Sequence, residues 1–191
     1  MTDALTFDPD THHYWVDGKS KMHVTGILED VGLVDSTWFD KDSADRGSAV
    51  HLACELYDKD DLDIDSVDPR IMAYLDGWIE FQRQTGFRVQ HVELKLHHSL
   101  HDYCGTVDRI GLYHDVPAIV DIKTGAIKRA TGYQLAAYAM LALTNGLADY
   151  ARRFAVHLTN DGHYKSIEYK ERIDFDVLRA ALVVRQAQEW R

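Results

Sequence analysis

The chain has 191 residues and a formal net charge of −10, with 46% hydrophobic and 27% charged residues. These proportions are typical of a globular protein, and the length suits one domain with a sizeable core. No stretch approaches the roughly twenty apolar residues of a membrane span, and the first residues do not resemble a signal peptide, so we expect a cytoplasmic protein with no membrane partner. The two cysteines, Cys54 and Cys104, are too few for a disulfide framework or for an iron–sulfur cluster.

The charge is unevenly distributed along the chain. Residues 55–68 carry seven carboxylates against one lysine, which predicts a solvated loop. Residues 121–153 carry five basic side chains against two acidic ones. Because nucleic-acid phosphates are usually bound by basic surfaces, the overall charge argues against a long nucleic-acid footprint but allows contact with a few phosphates near residues 121–153.

Strands and three helices are predicted in the first half of the chain. Residues 5–24 are expected to form strands around turns at Asp8-Pro9-Asp10 and Asp17-Gly18, because Asp-Gly is a hairpin signal. The predicted helices begin at a capping Thr25 and end at Gly32, cover residues 43–58, and extend from Asp68-Pro69 to Gly86.

The second half mixes strands and helices. Strands are predicted over 88–97, 105–113, 118–124, 153–159 and 163–169, with helices over 131–145 and from about residue 174 onward. Together the two halves predict an α/β fold: a single domain over residues 1–191 with a central mixed β-sheet flanked by helices and an N-terminal β-hairpin.

Asp121 and Lys123 belong to the segment with the clearest functional signal. Asp121-Ile122-Lys123 is one of four Asp/Glu-x-Lys triplets in the chain, and such a triplet is most often an exposed strand edge. Asp121, however, lies within a run that is apolar on both faces, from Ala118 to Ile122, which is typical of a strand covered on both sides. A carboxylate is costly to bury unless it is paired or binds a metal, and this cost indicates a functional site.

Asp108 is expected beside this segment. It lies on the preceding strand, where Thr106 and Ile110 share its face, thirteen residues before Asp121. Carboxylate oxygens suit Mg²⁺ or Mn²⁺, and the Lys123 ammonium can neutralise charge that develops on a phosphate. The segment therefore indicates metal-assisted cleavage of a phosphodiester.

Further polar residues flank this trio on predicted helices. His51 follows Arg46-Gly47-Ser48-Ala49-Val50 at the edge of an apolar stripe. Gln134 and Tyr138 are four residues apart and therefore share one helix face. Each of these residues alone would be interpreted as an ordinary helix residue, and their order along the chain is what makes them informative.

The ordered set closely resembles the RecB-like branch of the PD-(D/E)XK nuclease superfamily, which includes phage and mitochondrial DNA exonucleases. The matching elements are, in chain order, Gly47-x-x-x-His51, Glu93, Gly105-Thr106-x-Asp108, Asp121-Ile122-Lys123 and Gln134-x-x-x-Tyr138. The match covers about residues 47–138, and the segment from Met22 to Leu28 is similar to the entry segment of phage-type members. The resemblance implies a restriction-endonuclease-like core in a protein of a bacterial or phage-infected cell.

The resemblance also implies a role for each matched residue. The implied ligands of Mg²⁺ or Mn²⁺ are Asp108, Asp121 and the backbone carbonyl of Ile122. His51 would be a further ligand or would lie close to the ion. Lys123 would position and help to activate the attacking water and stabilise the phosphate, while Gln134 and Tyr138 would hold the substrate strand.

Two assignments stay open on the sequence. Glu93, on the strand before Asp108, either contacts the metal through water, orients Lys123, or is simply an exposed strand residue. Lys128 and Arg129 follow the lysine strand, and they either contact DNA phosphates or form a solvated turn.

The resemblance implies a metal-dependent DNA nuclease, and in particular an exonuclease that acts on DNA ends in recombination or repair. A structure-specific endonuclease and a non-catalytic nucleic-acid-binding recombination partner that keeps the fold are the alternatives, and RNA is an alternative substrate. Because the chain has no helicase segment, it would be compatible with a separately encoded helicase or single-strand annealing partner.

Overall fold

The structure, a computed structural model, describes residues 4–9, 11–34, 41–149 and 151–189. The described strands are β1 (Leu5–Asp8), β2 (His13–Val16), β3 (Lys19–His23), β4 (Arg88–His98), β5 (Tyr103–Tyr113), β6 (Val116–Lys123), β7 (Arg152–Leu158) and β8 (Tyr164–Glu168). The described α-helices are α1 (Val24–Asp30), α2 (Lys41–Asp58), α3 (Pro69–Thr85), α4 (Ala130–Thr144) and α5 (Ile173–Glu189), with a short 3-10 helix at Ile64–Ser66. None of the described helices has the length and apolar character needed to cross a bilayer.

The N-terminal strands are joined by the turn that the sequence predicts. Asp17 and Gly18 connect β2 to β3, and both have a positive φ, 50° and 74°, as a type I′ hairpin turn requires. The Asp17-Gly18 prediction is therefore confirmed, whereas Asp10 of the predicted turn at Asp8-Pro9-Asp10 lies outside the described residues.

The sequence predicts the N-terminal cap of α3 correctly but not that of α1. Asp68 caps α3 by accepting from the Arg70 N–H at 2.8 Å, and Gly86 ends that helix with φ 64°, both as predicted. For α1 the prediction that Thr25 is the cap is wrong. Thr25 is already helical, and the preceding His23 supplies the cap because its Nδ1 accepts from the Gly26 N–H at 3.2 Å.

The acidic run 55–68 differs from its prediction as a solvated loop. Its first four residues belong to the last turn of α2, and the Asp58 side chain is only 1% exposed. The prediction fails at Asp58 because a buried cation from β5, Arg109, pairs with its carboxylate and offsets the cost of burial.

Helices cover both faces of the sheet. α1, α4 and α5 pack on one face, and α2 and α3 pack on the other. Along β6, Ile119 contributes to the first layer, whereas Val120 and Ile122 contribute to the second, and all three are fully buried. The prediction of an α/β fold with a helix-flanked mixed sheet and an N-terminal hairpin is confirmed, as is the two-sided burial of β6.

The sheet opens at one point along β5. The strand order is β1-β2-β3-β5-β6-β7-β8, with β4 paired to β5, and the β3–β5 and β6–β7 pairs are parallel. β3 pairs with β5 at Tyr103 and Cys104, whereas β6 pairs with β5 between Tyr113 and Arg109. These two ladders leave residues 105–108 between them, and this stretch contributes to the candidate site.

Candidate active site

A cleft of about 930 Å³ lies at this opening of the sheet. Seven of the residues singled out from the sequence line it: His51, Glu93, Asp108, Asp121, Lys123, Gln134 and Tyr138. They come from α2, β4, β5, β6 and α4, so the fold brings together side chains that are far apart in the sequence.

Asp108 lies where β6 leaves β5. Its Oδ2 accepts a hydrogen bond from the Ile122 N–H at 2.8 Å, beyond the last Cα pair of the β5–β6 ladder, Arg109 with Val120. A side chain thus satisfies a buried backbone donor where the strands separate. Asp108 is 8% exposed, and burial raises the pKa of its carboxyl above the usual range. A carboxylate in this position is stabilised by a cation beside it.

His51 provides such a cation from α2. Its Nε2 lies 3.1 Å from the Ile122 carbonyl oxygen, which can only accept, so Nε2 is the donor and Nδ1 faces the carboxylates. Nδ1 lies 3.6 Å from Asp108 Oδ2 and 3.6 Å from Glu93 Oε1. Burial lowers the pKa of His51, but the two carboxylates outweigh burial and raise that pKa to about 9. The site therefore attracts positive charge between the imidazole and the two acids.

His51, Glu93 and Asp108 fit a divalent cation. One potential ligand atom from each lies within 4.8 Å of the other two. Carboxylate oxygens suit Mg²⁺ and Mn²⁺, and the imidazole nitrogen is a softer donor that Mn²⁺ accepts more readily than Mg²⁺. This triple differs from the ligand set implied by the sequence, because Glu93 joins it, while Asp121 pairs with Lys123 and the Ile122 carbonyl accepts from His51 Nε2.

Buried Asp121 and half-buried Lys123 form an ion pair at the end of β6. Lys123 Nζ lies 2.8 Å from Asp121 Oδ2, and Asp121 is 1% exposed. Burial raises the pKa of Asp121 to about 6, although Lys123 opposes this change. Burial lowers the pKa of Lys123, but Asp121 and Asp108 outweigh it, so the net change is upward. Lys123 is therefore an ammonium at neutral pH, able to donate hydrogen bonds but not to accept a proton.

Gln134 and Tyr138 orient Lys123 from α4. Gln134 Oε1 accepts from Lys123 Nζ at 3.3 Å, and Gln134 Nε2 donates to the Tyr138 hydroxyl at 2.9 Å. Their four-residue spacing on α4 makes this chain of hydrogen bonds possible. The Lys123 ammonium is thus fixed from two sides, by Asp121 and by Gln134.

Glu93 is not the exposed strand residue that was one interpretation of the sequence. Its side chain is 18% exposed, and its Oε1 accepts from Arg109 Nη1 at 3.0 Å. Its φ of +47° departs from the extended strand. Neither Arg109 nor its second partner, Asp58, was singled out from the sequence, because the two are 51 positions apart and no local pattern links them.

The predicted basic contacts lie elsewhere. Lys128 and Arg129 do not line the cleft, and Arg129 Nη2 pairs with Asp174 Oδ1 at 2.6 Å. Among the described residues, the lysine and arginine side chains that line the cleft besides Lys123 are Arg46 and Lys95. The sequence signal for Arg46 was its position directly before Gly47-x-x-x-His51, and of the locally basic stretch 121–153 only Lys123 among its basic side chains lines the cleft.

Comparisons with known proteins concern the fold. No protein-family model and no curated protein sequence matches this chain. Among solved structures, the chain is similar to a crystal structure from Eubacterium rectale named "Putative exonuclease", with a TM-score of 0.55 and 11% sequence identity. The similarity covers 90% of this chain and 74% of that chain. The chain thus shares its overall architecture with that protein.

Proposed function

We propose that this protein is a metal-dependent DNA nuclease of the RecB-like PD-(D/E)XK type, which hydrolyses phosphodiester bonds from DNA ends in recombination or repair. The observation that carries the proposal is the grouping of His51, Glu93 and Asp108 within 4.8 Å of one another, in the cleft that also holds the Asp121–Lys123 ion pair. The similarity to a structure named "Putative exonuclease" supports the same class of activity.

The candidate residues divide the work between cation and substrate. His51, Glu93 and Asp108 would hold Mg²⁺ or Mn²⁺, with Asp121 and the Ile122 carbonyl joining them if their present contacts exchange. The bound ion would supply a coordinated water of lowered pKa and a positive charge beside the phosphate. Lys123 would donate a hydrogen bond to the attacking water and stabilise the charge that grows on the phosphate.

The remaining residues would orient the reacting groups. Gln134 accepts a hydrogen bond from Lys123 and donates one to Tyr138, and both residues line the cleft, where we propose that they also contact the substrate strand. Arg46 and Lys95, which line the same cleft, are the cations best placed to bind phosphates next to the scissile one. Lys128 and Arg129 would contact only a substrate that extends beyond the cleft.

A nuclease assay tests the proposal directly. End-labelled single-stranded DNA, double-stranded DNA and RNA of the same sequence would be incubated with the protein in Mg²⁺, in Mn²⁺ and in EDTA. We expect cleavage of DNA with either metal and none in EDTA. Intact DNA and RNA under all conditions would contradict the proposal and favour a non-catalytic nucleic-acid-binding protein with the same fold.

A second substrate pair tests the preference for ends. A linear duplex and the same duplex as a covalently closed circle differ only in the presence of termini. We expect the linear form to be degraded and the circle to persist. Cutting of both at comparable rates would indicate an endonuclease instead.

A further inference from the structure

Behind the cleft, Arg109 forms a buried ion-pair network. Adjacent residues of a strand point to opposite faces, so Arg109 extends away from the neighbouring Asp108 and into the layer of α2 and α3. There its Nε lies 2.5 Å from Asp58 Oδ2, and its Cζ lies 5.6 Å from the centroid of the Trp78 ring. Arg109 is 0% exposed, so its positive charge is stabilised by protein groups and not by water.

Asp58 anchors this guanidinium. Its carboxylate accepts hydrogen bonds from Trp78 Nε1 at 3.0 and 3.1 Å and from Gln82 Nε2 at 2.6 Å. Both oxygens of Asp58 are therefore bound by α3 and by Arg109. The planar guanidinium has further donors in fixed directions, and Arg109 uses Nη1 for a second carboxylate.

That second carboxylate belongs to Glu93. Arg109 Nη1 donates to Glu93 Oε1 at 3.0 Å, and the same oxygen lies 3.6 Å from His51 Nδ1. The φ of Glu93, +47°, is one that residues other than glycine rarely adopt, and it occurs where a regular strand would be extended. The ion pair with Arg109 holds the carboxylate of this residue at the cleft, within reach of His51.

We propose that Arg109, anchored by Asp58, is a positioning residue that holds Glu93 as a ligand of the divalent cation bound with His51 and Asp108. The inference rests on the proposed function, which assigns a divalent cation to this site. The competing interpretation is a purely structural ion pair, which would stabilise the packing of α2 and α3 on the sheet without affecting the cation.

Mn²⁺ binding measured by isothermal titration calorimetry distinguishes the two interpretations. Lysine cannot reproduce the forked contacts of arginine, so we expect Arg109→Lys to bind Mn²⁺ about 10- to 100-fold more weakly than the wild type, as for other residues that orient a ligand. Because Arg109 acts through Glu93, the double variant Arg109→Lys/Glu93→Gln should bind no more weakly than Glu93→Gln alone. A structural role would instead leave the affinity unchanged or make the two losses additive.

Arg153→Lys is the matched control. Arg153 is likewise buried on a strand, and its Nη1 pairs with Asp174 Oδ2 at 3.1 Å, away from the cleft lining. This variant should lower the unfolding temperature but leave Mn²⁺ affinity intact. If Arg109→Lys does not fold, Asp58→Asn serves in its place, since the amide keeps the side-chain shape but weakens the anchor.

The outcomes separate this inference from the proposed function. Wild-type Mn²⁺ affinity in a folded Arg109→Lys or Asp58→Asn variant, or no Mn²⁺ binding by the wild type, would overturn the inference. Normal Mn²⁺ binding with the expected variant pattern, but without cleavage of any nucleic acid, would overturn the nuclease proposal and leave the positioning role intact.

Discussion

Lys123 and Asp108 lie in one cleft but are held by different contacts. Asp108 accepts a hydrogen bond from the Ile122 N–H and faces His51, whereas Lys123 pairs with Asp121 and donates to Gln134. The Asp108 carboxylate therefore belongs to the candidate cation site, whereas the Lys123 ammonium belongs to a separate group of contacts with Asp121 and Gln134. Substitutions at the two positions should have separable effects on cation binding and on cleavage.

Replacing Lys123 should strongly slow cleavage without abolishing cation binding. We expect Lys123→Met to lower kcat by about two to three orders of magnitude, because a fixed donor to the developing charge is lost. Asp108→Asn should lose both activity and Mn²⁺ affinity. Calorimetric Mn²⁺ titration beside single-turnover cleavage measures the two effects, and Lys165→Met, an exposed lysine on β8, is the control. Wild-type turnover by either cleft variant would refute the assignment.

Arg46 should contribute more to substrate binding than Lys128. Arg46 lines the cleft, whereas Lys128 does not. We expect Arg46→Ala to raise KM about tenfold and to reduce the slope of log Kd against log salt concentration by about one, as for loss of one phosphate contact. Lys128→Ala should leave both quantities near those of the wild type. The reverse result would place the substrate on the surface around residues 128–129, as one reading of the sequence suggested.

At the level of secondary-structure elements, the contact between α4 and β5 sets the position of Tyr138. A Cβ at Gly105 of β5 would lie 2.9 Å from Leu141 Cδ1, 3.0 Å from Val24 Cγ2 and 3.2 Å from Tyr138 Cε1. All three distances are shorter than ordinary van der Waals contacts. Glycine therefore permits this close packing of a helix on a strand, and the Tyr138 ring is one of the side chains in direct contact at this position.

Gly105→Ala should loosen this packing. We expect the free energy of unfolding to fall by about 1–3 kcal/mol, the usual cost of overpacking a core, and activity to fall because Tyr138 is displaced. Urea unfolding followed by circular dichroism measures the first effect. Gly125→Ala is the stability control, because a Cβ at Gly125 has no neighbour within 4 Å. Equal stability of the two variants would show that α4 adjusts without cost.

Elements with a local signal were predictable from the sequence. The apolar run of β6 indicated burial on both faces, and Asp68-Pro69 with Gly86 marked the ends of α3, because these features act within a few residues of one another. The order of motifs likewise identified seven residues that line one cleft.

Features that depend on distant partners were not predictable. Asp58 looked like part of a solvated acidic run, yet Arg109, Trp78 and Gln82 bury its carboxylate. Arg129, shortly after β6, was interpreted as either a DNA contact or part of a solvated turn, yet Asp174 of α5 pairs with it. In both cases every partner is at least 20 positions away along the chain, and only the folded chain brings it into contact.

For the molecule as a whole, the net charge of −10 limits how substrate can be held. Basic side chains such as Arg153 and Arg185 pair with acids of the protein, Asp174 and Asp30. A negatively charged protein repels a long polyanion, so the proposed nuclease would have to bind its substrate through contacts within the cleft. This is consistent with a substrate held over a few phosphates.

Acid stability of the whole fold should depend on His98, which joins β4 to α4. Its Nδ1 accepts from the His101 N–H at 3.2 Å, its Nε2 lies 3.1 Å from Thr144 Oγ1, and its ring stacks on Tyr103. These contacts require the neutral imidazole, because a protonated Nδ1 would face another N–H. Burial, reinforced by the neighbouring His101 and His97, lowers the pKa of His98 to about 4.

A histidine whose pKa is lower in the folded chain than in the unfolded chain stabilises the fold at pH values above its unfolded pKa of about 6.5. This stability is lost as the pH falls from about 6.5 towards the folded pKa of about 4. We expect the wild type to lose about 1–2 kcal/mol through this group between pH 7 and pH 5. Urea unfolding at the two pH values should show a smaller loss for His98→Gln, whose side chain does not titrate. His91→Gln, at an exposed position on β4, should lose as much as the wild type. An equal loss in the wild type and His98→Gln would mean that other groups control unfolding in acid.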